Sequence, residues 1–137
     1  MNPVRILHYL GGIAPETNLL SAIQAGLPSN AVLELAGRVG VTRTVILKKL
    51  DISESTMARR SRAKSRLTPQ ESDRLVRIAR VFAYATEVFG SEEKASQWLR
   101  LPIRALNFTT PFEYLDTEEG ARQVEAVLSH LEHGVFS

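Results

Sequence analysis

The sequence predicts an all-α protein in which an N-terminal helix-turn-helix domain is joined by a long helix to a small C-terminal helical domain. The long helix is predicted over Thr68–Gly90, because Thr68 and Glu71 have the spacing of a capping box and Pro69 stands at the first helical position. Gly90 supplies the residue that follows a helix end. Apolar residues recur between these signals at steps of three and four, which places them on one helical face.

The charge of the chain changes sign at the start of this helix. Residues 1–66 hold ten Lys or Arg against four Asp or Glu, whereas residues 67–137 hold seven against eleven. A basic half and an acidic half indicate two different partners, and a polyanion is the expected partner of the first. We therefore divide the chain into domains at 1–66 and 67–137, and we expect residues 1–15, which no pattern assigns to an element, to be partly mobile.

Composition excludes several classes of protein. The chain of 137 residues has no cysteine, which rules out disulfides and thiol catalysis and favours a reducing cytoplasm. No apolar run has the length of a membrane span, and the start is too weak for a secretory signal. The three histidines, His8, His130 and His133, lack the spacing of a metal site. We expect no cofactor and no metal.

Four short helices are predicted before the long one, over residues 17–24, 30–40 and 42–50 and from residue 53 onward. In the second of them, Leu33, Leu35 and Ala36 are the expected buried positions. The stretch ILKKLDISESTMARR (46–60) fits a helix-turn-helix, with two short helices about a tight turn and the second helix basic. Asp51 stands in that turn, where a left-handed conformation is needed.

The second helix of this motif supplies the expected DNA contacts. The candidate DNA-binding residues are Ser53, Glu54, Ser55, Thr56, Arg59, Arg60, Arg62 and Lys64. The first four lie at the end that reaches base edges in the major groove, Arg59 and Arg60 suit guanine edges or phosphates, and the later cations, with Arg66, suit backbone phosphates. Taken alone, the basic run also fits a solvated linker. Aromatic residues do not alternate with the cations, which disfavours single-strand binding.

The acidic half predicts a second, smaller core. One helix follows Ser91 and carries Trp98 as a core anchor, and a single turn follows Thr110. The last helix runs from Asp116 or Thr117 to Gly134, and its inward stripe is Ala121, Val124, Leu128 and Leu131. Ile103, Leu106 and Phe108 are expected to cover this core. The apolar tail Val135-Phe136-Ser137 either folds back on its own domain or waits for a partner.

From Leu67 onward the chain resembles the toxin-binding domain of the Xre/MbcA/ParS antitoxins. The resemblance rests on the order and spacing of LTPQESDRLVRIARVFAYATEVFG, SEEKASQWLRLPIRAL and TPFEYLDTEEGARQVEAVLSHLEHGVF. The preceding helix-turn-helix agrees with the Xre-type members of that family. Asn107 departs from the pattern, because family members more usually have Gly before the Thr-Pro pair, and we expect the same turn there with some strain.

The resemblance implies an antitoxin of a bacterial type II toxin–antitoxin pair. The implied partner is a RES-domain toxin with an ADP-ribosyltransferase-like fold that consumes NAD or transfers from it. The tail would then occupy the NAD pocket, through Gly134, Val135, Phe136 and the terminal carboxylate of Ser137. Glu118 and Arg122, placed on the outward face of the last helix, are further candidate toxin contacts. The helix-turn-helix would bind the promoter of the operon itself.

Two other functions are weighed against this one. The chain also fits a helix-turn-helix transcription regulator whose C-terminal domain binds a small ligand or only dimerises, with no toxin partner. An enzyme is disfavoured: Glu113, Asp116, Glu118 and Glu119 form an acidic cluster, but no histidine, serine or metal constellation accompanies them. Because one short recognition helix reads half of a palindrome, we expect at least a homodimer, and no membrane partner.

Overall fold

The computed structural model describes residues 3–11 and 18–134. These residues form eight α-helices, which are α1 (Pro3–His8), α2 (Leu19–Ala25), α3 (Asn30–Val39), α4 (Arg43–Leu50), α5 (Glu54–Ala63), α6 (Pro69–Phe89), α7 (Glu92–Leu99) and α8 (Glu118–His133). Two 3₁₀ turns, Arg104–Leu106 and Phe112–Asp116, lie between α7 and α8. The described part of the chain contains no sheet, which confirms the predicted all-α class.

Helices α4 to α8 each begin at a Ser or Thr whose side chain caps the helix. Thr68 Oγ1 accepts from Glu71 N–H at 3.1 Å while Glu71 Oε1 accepts from Thr68 N–H at 2.8 Å, so the predicted capping box closes in both directions. Ser53 and Thr117 cap α5 and α8 through a single hydrogen bond each, which their side-chain oxygens accept from a backbone N–H of the first turn. Local chemistry therefore fixes the helix starts.

The central helix α6 has neighbours in both halves of the molecule. It packs against α1, α2, α3 and α4 on the basic side and against α7 and α8 on the acidic side. Leu75, Ala79, Phe82 and Ala85 on it are fully buried. The two predicted domains consequently share one continuous hydrophobic core around this helix.

Helix α1 lies where the sequence assigned no element. Its segment buries four side chains, Ile6, Leu7, Tyr9 and Leu10. The Tyr9 ring meets Phe82 of α6 edge-on, with 5.2 Å between the ring centroids. These four side chains therefore belong to the core, because α6 offers them an apolar surface that local sequence does not reveal.

Two residues predicted to be buried are exposed. Leu33 of α3 keeps 40 % of its surface accessible, although Leu35 and Ala36 are buried as expected. Phe108, expected to cover the C-terminal core, is 70 % exposed. In both places the spacing of the sequence gives the direction of a side chain, but none of the described elements covers it on that side.

Polar contacts also join the two halves. Lys49 of α4 pairs with Asp116 Oδ1 at 2.9 Å, and its ammonium lies 4.6 Å from the centre of the Phe112 ring. On the other side of α6, Arg38 of α3 pairs with Glu92 of α7 at 2.9 Å. These pairs fix how the basic half sits against the acidic half. Among the described helices, none is long and apolar enough to cross a bilayer.

Candidate functional site

Helices α4 and α5 form the predicted helix-turn-helix. Asp51 adopts the left-handed conformation in the turn (φ 58°), as expected, and its N–H donates to the end of α4. Ile52 is 6 % exposed and Met57 is fully buried, so these two side chains anchor the turn and α5 to the core. The first turn of α5 lies at the surface.

The start of α5 carries an exposed polar cluster. Ser53 Oγ accepts from Thr56 N–H at 3.1 Å and donates to Thr56 Oγ1 at 2.8 Å, and Ser55 Oγ lies 3.3 Å away. Glu54 Oε2 pairs with Arg43 of α4 at 2.8 Å. Ser53 and Thr56 thus have a structural role as cap and cap partner, while Ser55 is the hydroxyl with the greatest freedom to reach a base edge.

The two adjacent arginines of α5 have different environments. Arg59 is exposed, and it forms no ion pair with any residue that the structure describes. Arg60 instead pairs with Glu71 of α6, and the side chains are only 16 % and 12 % exposed. The guanidinium of Arg60, a predicted base or phosphate contact, is thus engaged in a largely covered ion pair that joins α5 to α6.

The cations after Arg60 also divide. Arg62 and Lys64 are exposed, and Lys64 ends α5 in the left-handed conformation (φ 52°). Arg66 donates from Nη1 to the carbonyl of Gly26 at 2.9 Å, so it ties the end of the basic run to the loop after α2. Arg59, Arg62 and Lys64 remain as cations that face solvent.

A second charged cluster joins α6 to α8. Arg80 donates to Glu118 Oε2 at 2.8 Å and to Glu125 Oε2 at 3.1 Å, and Arg77 donates to Glu118 Oε1 at 3.4 Å. Partial burial alone would raise the pKa of Glu118, but the hydrogen bond and charge of Arg80, followed by those of Arg77, lower it below the usual range. The carboxylate is therefore the preferred form.

This cluster changes the position predicted for Glu118. The sequence placed Glu118 on the outward face of α8, whereas its carboxylate turns toward α6, because the polar face of α6 carries two arginines that need partners. Arg122 is 67 % exposed and lies 3.5 Å from Glu119, so it remains on the outer surface. Both candidates on this helix keep accessible surface, with 67 % of the Arg122 side chain and 43 % of the Glu118 side chain exposed.

The acidic cluster considered for catalysis has structural partners. Asp116 pairs with Lys49, Glu118 with Arg80, and Glu119 with Arg122. Within residues 3–11 and 18–134, no group of three or more possible ligands could hold a metal ion. Asp116 and Glu118 thus pair with other helices, whereas the Glu119 pair lies within α8.

The last turn of α8 borders an apolar groove. Gly134 ends the helix in the left-handed conformation (φ 63°), and its N–H donates to the carbonyl of His130. A cleft of about 450 Å³ lies beside this turn and is lined by Trp98, Ile103, Ala105, Ala126, Val127, His130 and Leu131. The predicted tail contacts Val135, Phe136 and Ser137 lie outside the described residues.

The loop between α7 and α8 presents an exposed aromatic residue near the same domain. Asn107 takes the expected positive φ (55°), and Phe108 follows it with φ 63°. A bulky residue in this conformation is unusual and strained. A backbone bridge between Ile103 and Thr109 closes the loop, so Phe108 is held outward instead of packing on the core.

Comparison with known proteins agrees with this two-part arrangement. Residues 19–80 match the antitoxin Xre-like helix-turn-helix domain. Residues 85–134 match the C-terminal toxin-binding domain of the Xre/MbcA/ParS antitoxins. Helix α6 joins the two matched regions and contributes to both.

Three proteins that are similar over most of the chain are named as antitoxins. An Antitoxin Xre of Photorhabdus laumondii is 33 % identical over 99 % of this chain and 92 % of its own length. One from Yersinia enterocolitica is 34 % identical over 88 % and 82 %. A protein named Prs ADP-ribosylating antitoxin, from Sphingobium, is 23 % identical over 90 % and 84 %. The chain belongs to the Xre antitoxin family, a family of toxin-binding and helix-turn-helix proteins and not of enzymes.

Proposed function

We propose that this antitoxin inhibits a RES-domain toxin by placing its C-terminal segment in the toxin's NAD-binding active site, and that it represses its own operon through α5. The proposal is supported by two different surfaces that lie on one shared hydrophobic core. Exposed cations of α5 lie on the basic half, and an apolar groove lies beside the end of α8. Both partners would be met in the bacterial cytoplasm.

The exposed face of α5 supports duplex DNA as the first partner. Arg59, Arg62 and Lys64 face solvent, and Ser55 and Glu54 stand at the helix start, the end that reaches base edges in helix-turn-helix complexes. Cations on this face gain affinity by releasing counterions from phosphates. Because one short helix reads a half-site, we also propose that the repressor acts as a homodimer.

The end of α8 supports a protein partner. The groove is lined mainly by apolar side chains, and Phe108, on the loop after α7, is exposed despite its aromatic ring. Exposed apolar surface of this kind marks protein interaction sites. The segment that follows Gly134 would begin beside the groove. A toxin docked in the groove would therefore lie within reach of residues 135–137.

The toxin's chemistry is proposed from two sources. The family resemblance implies a RES-domain partner that uses NAD. The name of the Sphingobium relative refers to ADP-ribosylation, which also starts from NAD. A segment that fills an NAD pocket blocks either reaction by occupancy, without catalysis by the antitoxin.

Co-expression with the neighbouring gene tests the proposal as a whole. We expect the antitoxin to co-purify with a RES-domain protein and to restore growth, and we expect the purified chain to shift a duplex that carries its own promoter. Arg59→Ala should weaken that shift while leaving toxin binding intact. A chain that binds the promoter but no neighbouring protein would favour a plain transcription regulator with a ligand-binding or dimerising domain.

A further inference from the structure

The first turn of α3 and the last turn of α5 enclose a cleft on the basic half of the molecule. The cleft has a volume of about 350 Å³ and is lined by Pro28, Ser29, Asn30, Ser61 and Lys64. Every polar group in this lining is neutral or positive. The lining therefore favours an anion over a cation.

Backbone contacts fix the two walls of the cleft. Leu67 N–H donates to the carbonyl of Leu27 at 2.8 Å, and Pro28 bridges to Arg66, so the chain after α5 runs beside the loop before α3. Gly26 is required at this crossing, because a Cβ atom there would lie 2.1 Å from the carbonyl oxygen of Leu67. The cleft is thus a built feature of the fold.

The wall from α3 offers one unused hydroxyl, that of Ser29. Ser29 is only 5 % exposed, yet it lines the cleft, and its hydroxyl makes no hydrogen bond to any residue in the described ranges. The N–H groups of Ala31 and Val32 already donate to the carbonyls of Pro28 and Ser29, so the hydroxyl of Ser29 is the donor that this wall leaves unused. The helix has ten residues and no acidic residue in its first turn. The positive end of the helix dipole therefore faces the cleft uncompensated.

The wall from α5 adds a cation. Lys64 is exposed and forms no ion pair with a described residue, and the hydroxyl of Ser61 lies one turn before it. A free ammonium, two hydroxyls and a helix N-terminus are the groups that hold phosphate oxygens in proteins.

We propose that this cleft binds a phosphate group, supplied by the backbone of the duplex on which α5 docks. The proposal deepens the DNA-binding role proposed above and rests on it. Helix α5 has ten residues and is therefore ~15 Å long from end to end. The major groove is ~12 Å wide, so a helix whose start reaches base edges has its end at the groove's phosphate border.

Substituting Asn30 separates binding from stability. Asn30→Asp adds a carboxylate at the start of α3, which favours the helix dipole but repels a phosphate. We expect the variant to be at least as stable as the parent chain and to bind promoter DNA about threefold to tenfold more weakly. Lys64→Asn keeps a residue that tolerates positive φ, and it should reduce the salt slope of promoter binding by about one.

Two control variants distinguish a failure of the cleft proposal from a failure of the DNA-binding role on which it rests. Gln123→Glu adds the same charge on α8 and should leave promoter binding unchanged, which excludes an effect of net charge. Arg59→Ala reports on the groove contact of α5. If Arg59→Ala weakens promoter binding while Asn30→Asp and Lys64→Asn leave affinity and salt slope unchanged, the cleft proposal is wrong and the role of α5 stands. If the intact chain binds no promoter, the proposed function fails and DNA is excluded as the source of the phosphate.

A titration with sodium phosphate distinguishes the two sources of the anion. At constant ionic strength, a weak saturable shift of the Ser29 and Asn30 amide resonances should appear and should be lost in Asn30→Asp. A strong shift together with unchanged promoter affinity in the variants would assign the cleft to free phosphate and overturn its assignment to DNA.

Discussion

Arg60 of α5 and Glu71 of α6 form an ion pair whose side chains are 16 % and 12 % exposed. Glu71 also closes the capping box at the start of α6 through the N–H of Thr68. One carboxylate therefore fixes the first turn of the central helix and the position of α5. The face of α5 that we propose to bind DNA is orientated by an ion pair that lies largely covered against α6.

Replacing Arg60 should act on stability. Arg60→Ala leaves the mostly covered carboxylate of Glu71 without its cation, so we expect the free energy of unfolding to fall by about 1–3 kcal/mol. Urea denaturation measures this loss. The adjacent Arg59→Ala is the matched control: it should change stability by less than about 0.5 kcal/mol and weaken promoter binding by about 1–3 kcal/mol. Equal stability of the two variants would contradict the role assigned to the ion pair.

The charged cluster between α6 and α8 should make the free energy of unfolding fall with pH in the acid range. The pKa of Glu118 is lower in the folded chain than in the unfolded chain. Its contribution to the free energy of unfolding is therefore complete above the unfolded pKa of about 4.3, and it is lost as the pH falls through the pKa of the folded chain. We expect the free energy of unfolding of the parent chain to fall more steeply below about pH 5 than that of Glu118→Gln.

A control on the same helix isolates this effect. Glu119 is 70 % exposed and pairs only with an exposed arginine, so Glu119→Gln should keep the acid dependence of the parent chain. Parallel curves for the parent chain and Glu118→Gln would show that the arginines of α6 do not hold this carboxylate.

Phe108 should be unfavourable for folding and useful for binding. A left-handed conformation costs a residue with a Cβ atom about 1–2 kcal/mol, and Gly recovers this at an entropic cost of about 0.5–1 kcal/mol. With 70 % of Phe108 exposed, Phe108→Gly should leave the melting temperature equal or higher. If the ring contacts the toxin, the same variant should weaken toxin binding. A large drop in melting temperature would show that the ring belongs to the core.

Sequence alone predicted the helices well because their ends are local. Thr68, Ser53 and Gly90 act on the backbone next to them, and the left-handed residues Asp51 and Asn107 do the same. No distant contact is needed for these features. The all-α class and the helix-turn-helix were therefore predictable.

What local sequence does not reveal are partners that are distant in sequence. Helical spacing does not show that Arg60 and Glu118 each meet an oppositely charged residue on α6. Helix α1 has too few residues for a periodic pattern, yet α6 supplies its apolar surface. The cleft at Ser29 and the groove at Trp98 combine residues from separate helices, so no local motif marks them.

The division between a DNA-binding end and a toxin-blocking end is tested most directly by the toxin's own reaction. NAD consumption by the purified RES-domain toxin should be suppressed by the intact antitoxin and restored when residues 135–137 are deleted, while the truncated chain keeps its melting temperature and promoter binding. Full suppression by the truncated chain would contradict inhibition by the C-terminal segment.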